Sequence, residues 1–301
     1  MRNELEGILR SAIGERAEIA RMSAVSGGCI ADAQHVVLND GQQLFVKSVP
    51  QNDIPQSVLE AEAIGLRAIA QTNTLSVPEV ILCSRAGERE FLVLEWIEQG
   101  PQPRNFFSEL GAGLACLHRS DSIDHAGVGF GWKQDNFLGS SLQPNQLTTD
   151  WCQFFAEHRL GYQIQLAREK QSGTPELYNQ VSWICEHFHA LVGDIPIEAS
   201  LLHGDLWNGN FVCSNEGAPV IFDPAVYRGH READLAMPLI FGGFSAEFWK
   251  AYKEVWPLEP GFEERAELYK LYHYLNHLNL FGTSYLGDCL NISRRFAPPA
   301  N

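Results

Sequence analysis

Residues 99–103 (Gln-Gly-Pro-Gln-Pro) break the chain, because a glycine and two prolines end the regular spacing of apolar residues there. Before this break, alternating apolar and polar positions predict β-strands at 33–38, 42–49, 77–84 and 90–97. Asn39-Asp40-Gly41 separates the first two runs and is a typical hairpin turn. Helical spacing dominates after the break. The sequence therefore predicts an α+β fold with a small antiparallel-sheet lobe over residues 1–98 and a larger, mainly helical lobe over 99–301.

Apolar residues three and four positions apart predict two helices in the first lobe, over residues 4–22 and 56–71. Only the second of these interrupts the run of strands. In the second lobe the same spacing predicts helices at 105–119, 151–170, 176–192, 245–256 and 263–281. Two short strands, 210–213 and 220–222, are the exception there, because they flank the turn Asn215-Glu216-Gly217.

The charge balance excludes several classes of partner. The chain has 37 acidic and 22 basic residues, a formal net charge of −15, so nucleic acid and anionic membranes should repel it. No apolar stretch approaches the roughly 18 residues of a membrane span, and the N-terminus does not resemble a secretory signal. The seven cysteines form no CxxC pair, which is typical of free thiols in a reducing cytoplasm. We therefore expect a cytoplasmic protein without nucleic-acid or membrane partners.

The residues richest in chemistry lie around the two short strands of the second lobe. Asp205 and Asn210 are five positions apart in a glycine-containing loop, and Asp223 follows the returning strand. Phosphoryl transfer from ATP needs one carboxylate to accept the hydroxyl proton, and a second carboxylate with an amide oxygen to hold Mg²⁺ against the phosphates. For either motif alone, turn formation is an equally good explanation. The combined spacing favours Asp205 as the base and Asn210 and Asp223 as metal ligands.

The first lobe supplies a matching cation. Lys47 alternates with Phe45 and Val49 along a predicted strand, so it points to an apolar face and needs an anionic partner there. ATP phosphates and a glutamate of the following helix would serve, with Glu62 the first choice and Glu60 the alternative. A solvent-exposed edge lysine is the competing interpretation.

Two further segments are candidates for nucleotide binding. Gly27 and Gly28 precede the first hairpin strand, where their backbone N–H groups could approach phosphate oxygens. Glu95, Trp96 and Ile97 end the last strand at the lobe boundary, where backbone groups could bind adenine. Cys29 follows the two glycines, so the field that attracts phosphate would favour its thiolate and could make activity redox-sensitive. A packed, structural cysteine is the alternative.

Taken together, these segments resemble the fructosamine/ketosamine 3-kinases, a branch of the protein-kinase-like phosphotransferases that includes aminoglycoside kinases. The resemblance covers nearly the whole chain. It is most specific in residues 202–210 (LHGDLWNGN), 221–227 (IFDPAVY) and 229–237 (GHREADLAM), with further similarity at 135–139 and 154–160. It implies a two-lobed protein-kinase-like fold and ATP- and Mg²⁺-dependent phosphorylation of the sugar 3-hydroxyl of ketosamines, free or on glycated proteins. The phosphorylated adduct then decomposes and frees the amine.

Several points stay open at the level of sequence. Trp207 is placed either to stack on the sugar or to pack the loop, with the sugar slightly favoured. Asp234 is either a brace for the catalytic loop or a helix N-cap. A kinase for an aminoglycoside or amino alcohol is the runner-up function, and a non-catalytic nucleotide-binding scaffold is the third. The choice among fructose, ribulose and erythrulose, and the oligomeric state, are also open.

Overall fold

The computed structural model describes residues 1–25, 31–51, 57–120 and 129–299. Its first part is a five-stranded antiparallel sheet of order β1-β2-β3-β5-β4. The strands are β1 (Ile19–Ala24), β2 (Asp32–Leu38), β3 (Gln43–Pro50), β4 (Val80–Ala86) and β5 (Arg89–Glu95). Two helices accompany the sheet, α1 (Arg2–Ile13) and α2 (Val58–Gln71).

Alternation along the strands gives the sheet two apolar faces, and each face carries one helix. Leu5 and Leu9 of α1 pack on the face that includes Val46 and Val93. Helix α2 covers the other face, where its Leu59, Ala63 and Leu66 contact Leu92 and Leu94. Ser57 caps α2, because its hydroxyl accepts a 3.0 Å hydrogen bond from the Glu60 backbone N–H.

The expected helix over 4–22 is wrong in its second half. Helix α1 ends at Gly14, whose φ of 113° leaves the helical region, and Ile19–Ala24 form the edge strand β1 instead. The apolar residues of 4–13 follow helical spacing, but Ile19 is buried as part of the sheet core. The sequence therefore predicted four strands where the sheet has five.

The rest of the described chain is mainly helical. Its helices are α3 (Phe106–Arg119), α4 (Trp151–Phe155), α5 (Tyr162–Glu169), α6 (Pro175–Val192), α7 (Arg231–Ala236), α8 (Pro238–Phe241), α9 (Ala246–Val255), α10 (Phe262–Phe281) and α11 (Leu286–Phe296). A π-helical segment, Ala156–Gly161, joins α4 to α5, and a 3₁₀ turn, Thr283–Tyr285, precedes α11. The predicted helix over 151–170 is thus a helical run with a π segment inside it. No helix in the described ranges is long and apolar enough to cross a membrane.

Six short strands form three antiparallel pairs within the described helical part. They are β6 (Asn136–Leu138) with β7 (Ser141–Gln143), β8 (Ser200–Leu202) with β11 (Tyr227–Gly229), and β9 (Phe211–Cys213) with β10 (Pro219–Ile221). The β9–β10 pair is the hairpin expected from sequence. It also contacts the first part of the chain, since the Ile221 N–H donates to the Ser76 carbonyl at 3.0 Å and the Asn215 N–H donates to the Glu98 carbonyl at 2.7 Å. These bonds join the hairpin to the segments that precede β4 and follow β5.

Candidate active site

Lys47 lies at the centre of an ion-pair cluster between the two parts of the chain. Its Nζ is 2.9 Å from both carboxylate oxygens of Glu62 and 2.5 Å from Oδ1 of Asp223. Burial alone would lower the pKa of Lys47, but the two carboxylates raise it above the ordinary lysine value. The ammonium is therefore charged. Glu62 is the partner and not Glu60, which lies two positions earlier on α2 and is exposed.

Asp223 owes its position to an unusual backbone conformation. It follows β10 and has a φ of 57°, in the left-handed region that aspartate tolerates better than most residues. The Ala225 N–H then donates to the His203 carbonyl at 2.8 Å, which returns the chain to the loop that carries Asp205. The side chain of Asp223 is 41% exposed, so it faces the open space between the two parts.

Asp205 and Asn210 occupy one loop between β8 and β9. The Asn210 amide donates to the Asp205 backbone carbonyl at 2.8 Å and to Oδ2 of Asp205 at 3.2 Å. Burial raises the pKa of Asp205 well above its usual range, and the nearby charges of Asp223 and Asp234 raise it further. The carboxyl of Asp205 is thus a stronger proton acceptor than an ordinary aspartate.

The loop is braced from beneath by Asp234 in α7. Its carboxylate accepts hydrogen bonds from the backbone N–H groups of His203 at 2.9 Å and Gly204 at 2.8 Å, and its Oδ2 is 3.0 Å from Nε2 of His118. Burial by itself would raise the pKa of Asp234, but these partners lower it. Asp234 lies within the helix, whose N-cap is His230, so the bracing interpretation is right and the N-cap interpretation is wrong.

His203 also braces the loop. Its Nε2 is 3.0 Å from the Phe222 carbonyl and its Nδ1 is 3.3 Å from the Asp205 backbone nitrogen. Burial lowers the pKa of the His203 imidazole, and a neutral ring with one donor and one acceptor matches these two partners. The ring therefore links the backbone of Phe222, which precedes Asp223, to the backbone of Asp205.

The donor set suits a hard divalent cation. The Asn210 amide nitrogen is engaged with Asp205, so its carbonyl oxygen is the end that is free to face a ligand, and Asp223 adds an accessible carboxylate. Mg²⁺ prefers such oxygen donors and is held through one or two protein groups together with substrate phosphates. Accordingly, no group of three or more His, Cys, Asp or Glu side chains within the described ranges could hold a metal alone.

The other sequence candidates fall in three places. Trp96 stacks on His35 with ring centres 3.8 Å apart, and Glu95, at the end of β5, donates its backbone N–H to the Glu79 carbonyl at 2.9 Å. Ile97 follows, half-buried. Gly27, Gly28 and Cys29 lie outside the described residues. Trp207 is half-buried within the loop between β8 and β9, and its ring lies so close to Gly209 that a Cβ on Gly209 would be 2.4 Å from it.

Two features near the loop escaped the sequence prediction. His118 of α3 reaches Asp234 and also lies 2.8 Å from the Tyr252 hydroxyl; its sequence neighbours gave only a helix, with no local signal. A cavity of about 370 Å³ also lies between the linker after β5 and the catalytic loop. Its lining includes Gln99, Gln102, Phe107, Asn208 and Gly243.

Comparisons with known proteins agree with this architecture. A probable ketoamine kinase of Synechocystis is 41% identical over 286 residues, which cover 93% of each chain. A chloroplastic protein-ribulosamine 3-kinase of Oryza sativa is 40% identical over 283 residues, 93% of this chain and 79% of the rice protein. A crystal structure described as a fructosamine-3-kinase, from Haemophilus somnus, superimposes with a TM-score of 0.86 at 28% identity, covering 98% of this chain and 97% of the other.

More distant structures support the fold alone. An aminoglycoside phosphotransferase superimposes with a TM-score of 0.61 at 16% identity, over 97% of this chain and 99% of the other. The expected two-lobed kinase-like α+β fold is therefore confirmed. The model of the family called fructosamine kinase matches residues 1–296, and the chain belongs to that family.

Proposed function

We propose that the protein phosphorylates the sugar 3-hydroxyl of ketosamines, using ATP and Mg²⁺, and so starts the removal of the sugar from glycated amines. Membership of the fructosamine kinase family makes the chain an ATP-dependent phosphotransferase. The observation that carries the residue assignments is the convergence of Lys47, Asp205, Asn210 and Asp223 at the contact between the sheet and the helical part. We divide the chain there, into a lobe of residues 1–98 and a lobe of 99–301, with ATP between them.

Each residue receives a role that its surroundings support. Asp205 accepts the proton of the sugar hydroxyl, since its raised pKa makes it a better base than an exposed aspartate. Lys47 binds the phosphates and Glu62 holds it in place, as the bidentate contact of that pair suggests. Asn210 and Asp223 hold the metal. Mg²⁺, when bound there, neutralises charge on the transferred phosphoryl group.

Further assignments follow from position. Gly27 and Gly28 remain proposed phosphate ligands, and Glu95, Trp96 and Ile97 the proposed adenine contacts through their backbone. Trp207 contacts the sugar, because it follows the base by two positions and is half-exposed. The substrate is a small ketosamine or a glycated protein. The free cysteines of the described residues fit a reducing, cytoplasmic location.

The direct test is product analysis with purified protein. Protein, ATP and Mg²⁺ are incubated in turn with ribulose-lysine, fructose-lysine, free fructose, an aminoglycoside and choline, and phosphate transfer is followed by ³¹P NMR. We expect the two ketoamines to be phosphorylated at the 3-hydroxyl and then to release lysine. Their linking nitrogen is cationic, and an acidic protein should favour them over neutral sugars.

The alternatives give distinct outcomes in the same assay. Preferred turnover of the aminoglycoside or choline would replace the ketosamine assignment with that of another small-molecule kinase. ATP binding without turnover of any compound would leave a nucleotide-binding scaffold. Asp205→Asn is the control for turnover by a contaminating kinase, since activity that survives it does not come from this site.

A further inference from the structure

A line of aromatic rings runs from the catalytic loop onto the protein surface. Trp207 contacts Phe241, Phe241 contacts His277, and His277 contacts both Phe281 and Tyr285, with ring centres 5.6, 5.5, 5.5 and 5.0 Å apart. We call these five residues the aromatic strip. They come from four separate segments: the catalytic loop, the end of α8, the end of α10 and the 3₁₀ turn after it.

Two phenylalanine rings of the strip, Phe241 and Phe281, face solvent. Phe281 is 54% exposed and Phe241 is 41% exposed, and no other phenylalanine of the described ranges is as open. Exposed aromatic rings grouped together, as Phe241 and Phe281 are here through His277, are typical of sites where another molecule binds. Phe281 ends α10, and Gly282, with a φ of 89°, turns the chain so that Tyr285 packs beside it.

The strip is also free of positive charge. Its one titratable ring besides Tyr285 is that of His277, whose Nδ1 is 2.7 Å from the His273 carbonyl, which fixes the ring within the helix. Burial lowers the pKa of His277, so the ring is neutral at physiological pH. Neutral aromatic faces attract cationic side chains and alkyl stems, and the protein as a whole carries a net charge of −15.

We infer that the aromatic strip binds the polypeptide residues on either side of a glycated lysine when the ketosamine is carried by a protein. This inference rests on the proposed function. If the sugar lies between Asp205 and Trp207, the amine-bearing group attached to it must leave the site along either the aromatic strip or the cavity beside Asn208. The strip begins at Trp207 and extends three ring contacts further, to Phe281, which is beyond the reach of a single sugar.

The cavity beside Asn208 is the other way out of the site. It is lined by side-chain amides as well as phenylalanines and lies on the linker side of the loop. It suits a polar group of limited size. The strip instead offers two exposed phenylalanine rings, Phe241 and Phe281, that apolar side chains next to the modified lysine can contact.

The test compares two substrates that carry the same sugar. One is an Nα-acetyl ketosamine-lysine amide, and the other is a decapeptide with that ketosamine-lysine at its centre and leucine and lysine residues around it. We expect a higher kcat/KM for the peptide. Phe281→Ala should lower the ratio of the peptide value to the small-substrate value about 2–5-fold, the usual effect of one exposed cation–aromatic contact. Phe281→Leu separates the aromatic contribution from simple apolar contact.

Controls keep the inference apart from the proposed function. Ile13→Ala removes another exposed apolar side chain, on α1, and should leave the ratio unchanged. A peptide with glutamates in place of the flanking lysines should be the poorer substrate. If wild-type protein phosphorylates neither ketosamine, the proposed function fails. If it phosphorylates both and Phe281→Ala leaves the ratio as it was, the inference about the strip is wrong.

Two other outcomes would also overturn it. A ratio that responds to Gln102→Ala but not to Phe281→Ala would move the peptide to the cavity. A dimer of the wild-type protein that dissociates in Phe281→Ala, measured by sedimentation, would assign the strip to a contact between two copies of the chain.

Discussion

Lys47 Nζ lies 2.5 Å from Asp223 Oδ1, although 176 positions separate the two residues in the sequence. The same ammonium contacts both oxygens of Glu62, so one buried cation joins strand β3, helix α2 and the residue that follows β10. On the proposed assignment, ATP phosphates would compete with Asp223 for the Lys47 ammonium, while Glu62 would stay bound to it. The first three predictions concern this cluster and the loop beside it.

Lys47→Met should be destabilising as well as inactivating. It leaves the buried Glu62 carboxylate without its cation, which costs about 3–5 kcal/mol in comparable sites. Adding Glu62→Met should restore part of that stability, because an apolar pair can replace a buried ion pair. Turnover should not return, since no cation then faces the phosphates. Urea unfolding and ATP turnover measure the two effects. A double variant no more stable than Lys47→Met would contradict this account.

Asp205→Asn should raise stability while removing most turnover. The folded-state pKa of Asp205 lies above its unfolded value, so ionising it at neutral pH disfavours the fold, and this penalty grows as pH rises through the window between the two pKa values. An uncharged asparagine avoids the penalty. Loss of a general base typically lowers kcat about 10²–10⁴-fold.

Two measurements check this trade between stability and activity. At pH 7.5 we expect a higher Tm for Asp205→Asn than for the wild type. In domains of roughly 150–250 residues, each 1 kcal/mol added to the free energy of unfolding raises the Tm by about 2–4 °C. The difference from wild type should shrink in acid, where both side chains are neutral. A lower Tm at pH 7.5 would mean that the carboxylate stabilises the loop, and near-normal kcat would mean that Asp205 is not the base.

Gly204→Ala should disrupt the catalytic loop. Gly204 has a φ of 83°, and a Cβ there would lie 2.1 Å from the Ala225 carbonyl oxygen, so the two segments that carry Asp205 and Asp223 would be forced apart. Gly193→Ala is a matched control, because its φ is 81° but nothing lies within 4 Å of the added Cβ. Backbone strain alone costs about 1–2 kcal/mol. We therefore expect near-normal turnover from folded Gly193→Ala and little from Gly204→Ala; similar turnover in both would show that the close approach is unimportant.

Local sequence patterns predicted part of the fold and part of the candidate site. Alternation around Asn39-Asp40-Gly41 predicted β2 and β3, and with them the side of the sheet that Lys47 occupies. The spacing of Asp205, Asn210 and Asp223 pointed to this loop because Asn210 and Asp223 flank one hairpin and Asp205 lies in the loop just before it. Strand β1 was missed, since its only partner is β2 and the preceding helical run masked its short alternation.

Contacts between distant segments were only partly predictable. Asp234 was one candidate brace for the loop, but the helical pattern around His118, 116 positions away, gave no sign that His118 is its partner. Glu62 was the first choice over Glu60 as the partner of Lys47, and the rotation of α2 against the sheet decides between the two. Tertiary packing, and not local propensity, determines such pairs.

Asp234→Asn should loosen the loop from beneath. The backbone N–H groups of His203 and Gly204 both donate to the Asp234 carboxylate. The carbonyl oxygen of an asparagine could accept one of these bonds, but its NH₂ group is a donor and would face the other N–H without forming a bond. Hydrogen bonds to charged groups contribute about 1.5–3 kcal/mol each, so we expect a loss of roughly 2–4 kcal/mol at neutral pH.

The pH dependence of that loss identifies the carboxylate as its source. The pKa of Asp234 is lowered in the folded protein, so its contribution to stability is present above the unfolded value, about 4, and is lost as pH falls through the folded value. The gap between wild type and Asp234→Asn in urea unfolding should therefore narrow below pH 4. A gap that does not change with pH would point to lost packing instead of lost charge.

The last prediction concerns Arg159, a fully buried cation that forms no ion pair with a carboxylate in the part of the chain that the structure describes. Its guanidinium lies over the Tyr227 ring at 4.1 Å and donates to the Pro144 carbonyl at 2.6 Å and to the Asn145 side chain at 2.7 Å. Asn145 in turn donates to Asn136, whose amide holds the Val226 carbonyl at 2.7 Å, three residues after Asp223.

Arg159→Lys keeps the positive charge but removes the planar guanidinium group, whose two terminal nitrogens donate to Pro144 and to Asn145 at the same time. We expect a destabilisation of about 2–4 kcal/mol, from two hydrogen bonds and a desolvated cation–aromatic contact. Because the chain of amides ends near Asp223, KM for Mg²⁺-ATP should rise in the folded variant. Arg295→Lys, at a half-exposed ion pair with Glu264, should change stability by less than about 0.5 kcal/mol. A folded Arg159→Lys with unchanged KM would confine the role of Arg159 to packing.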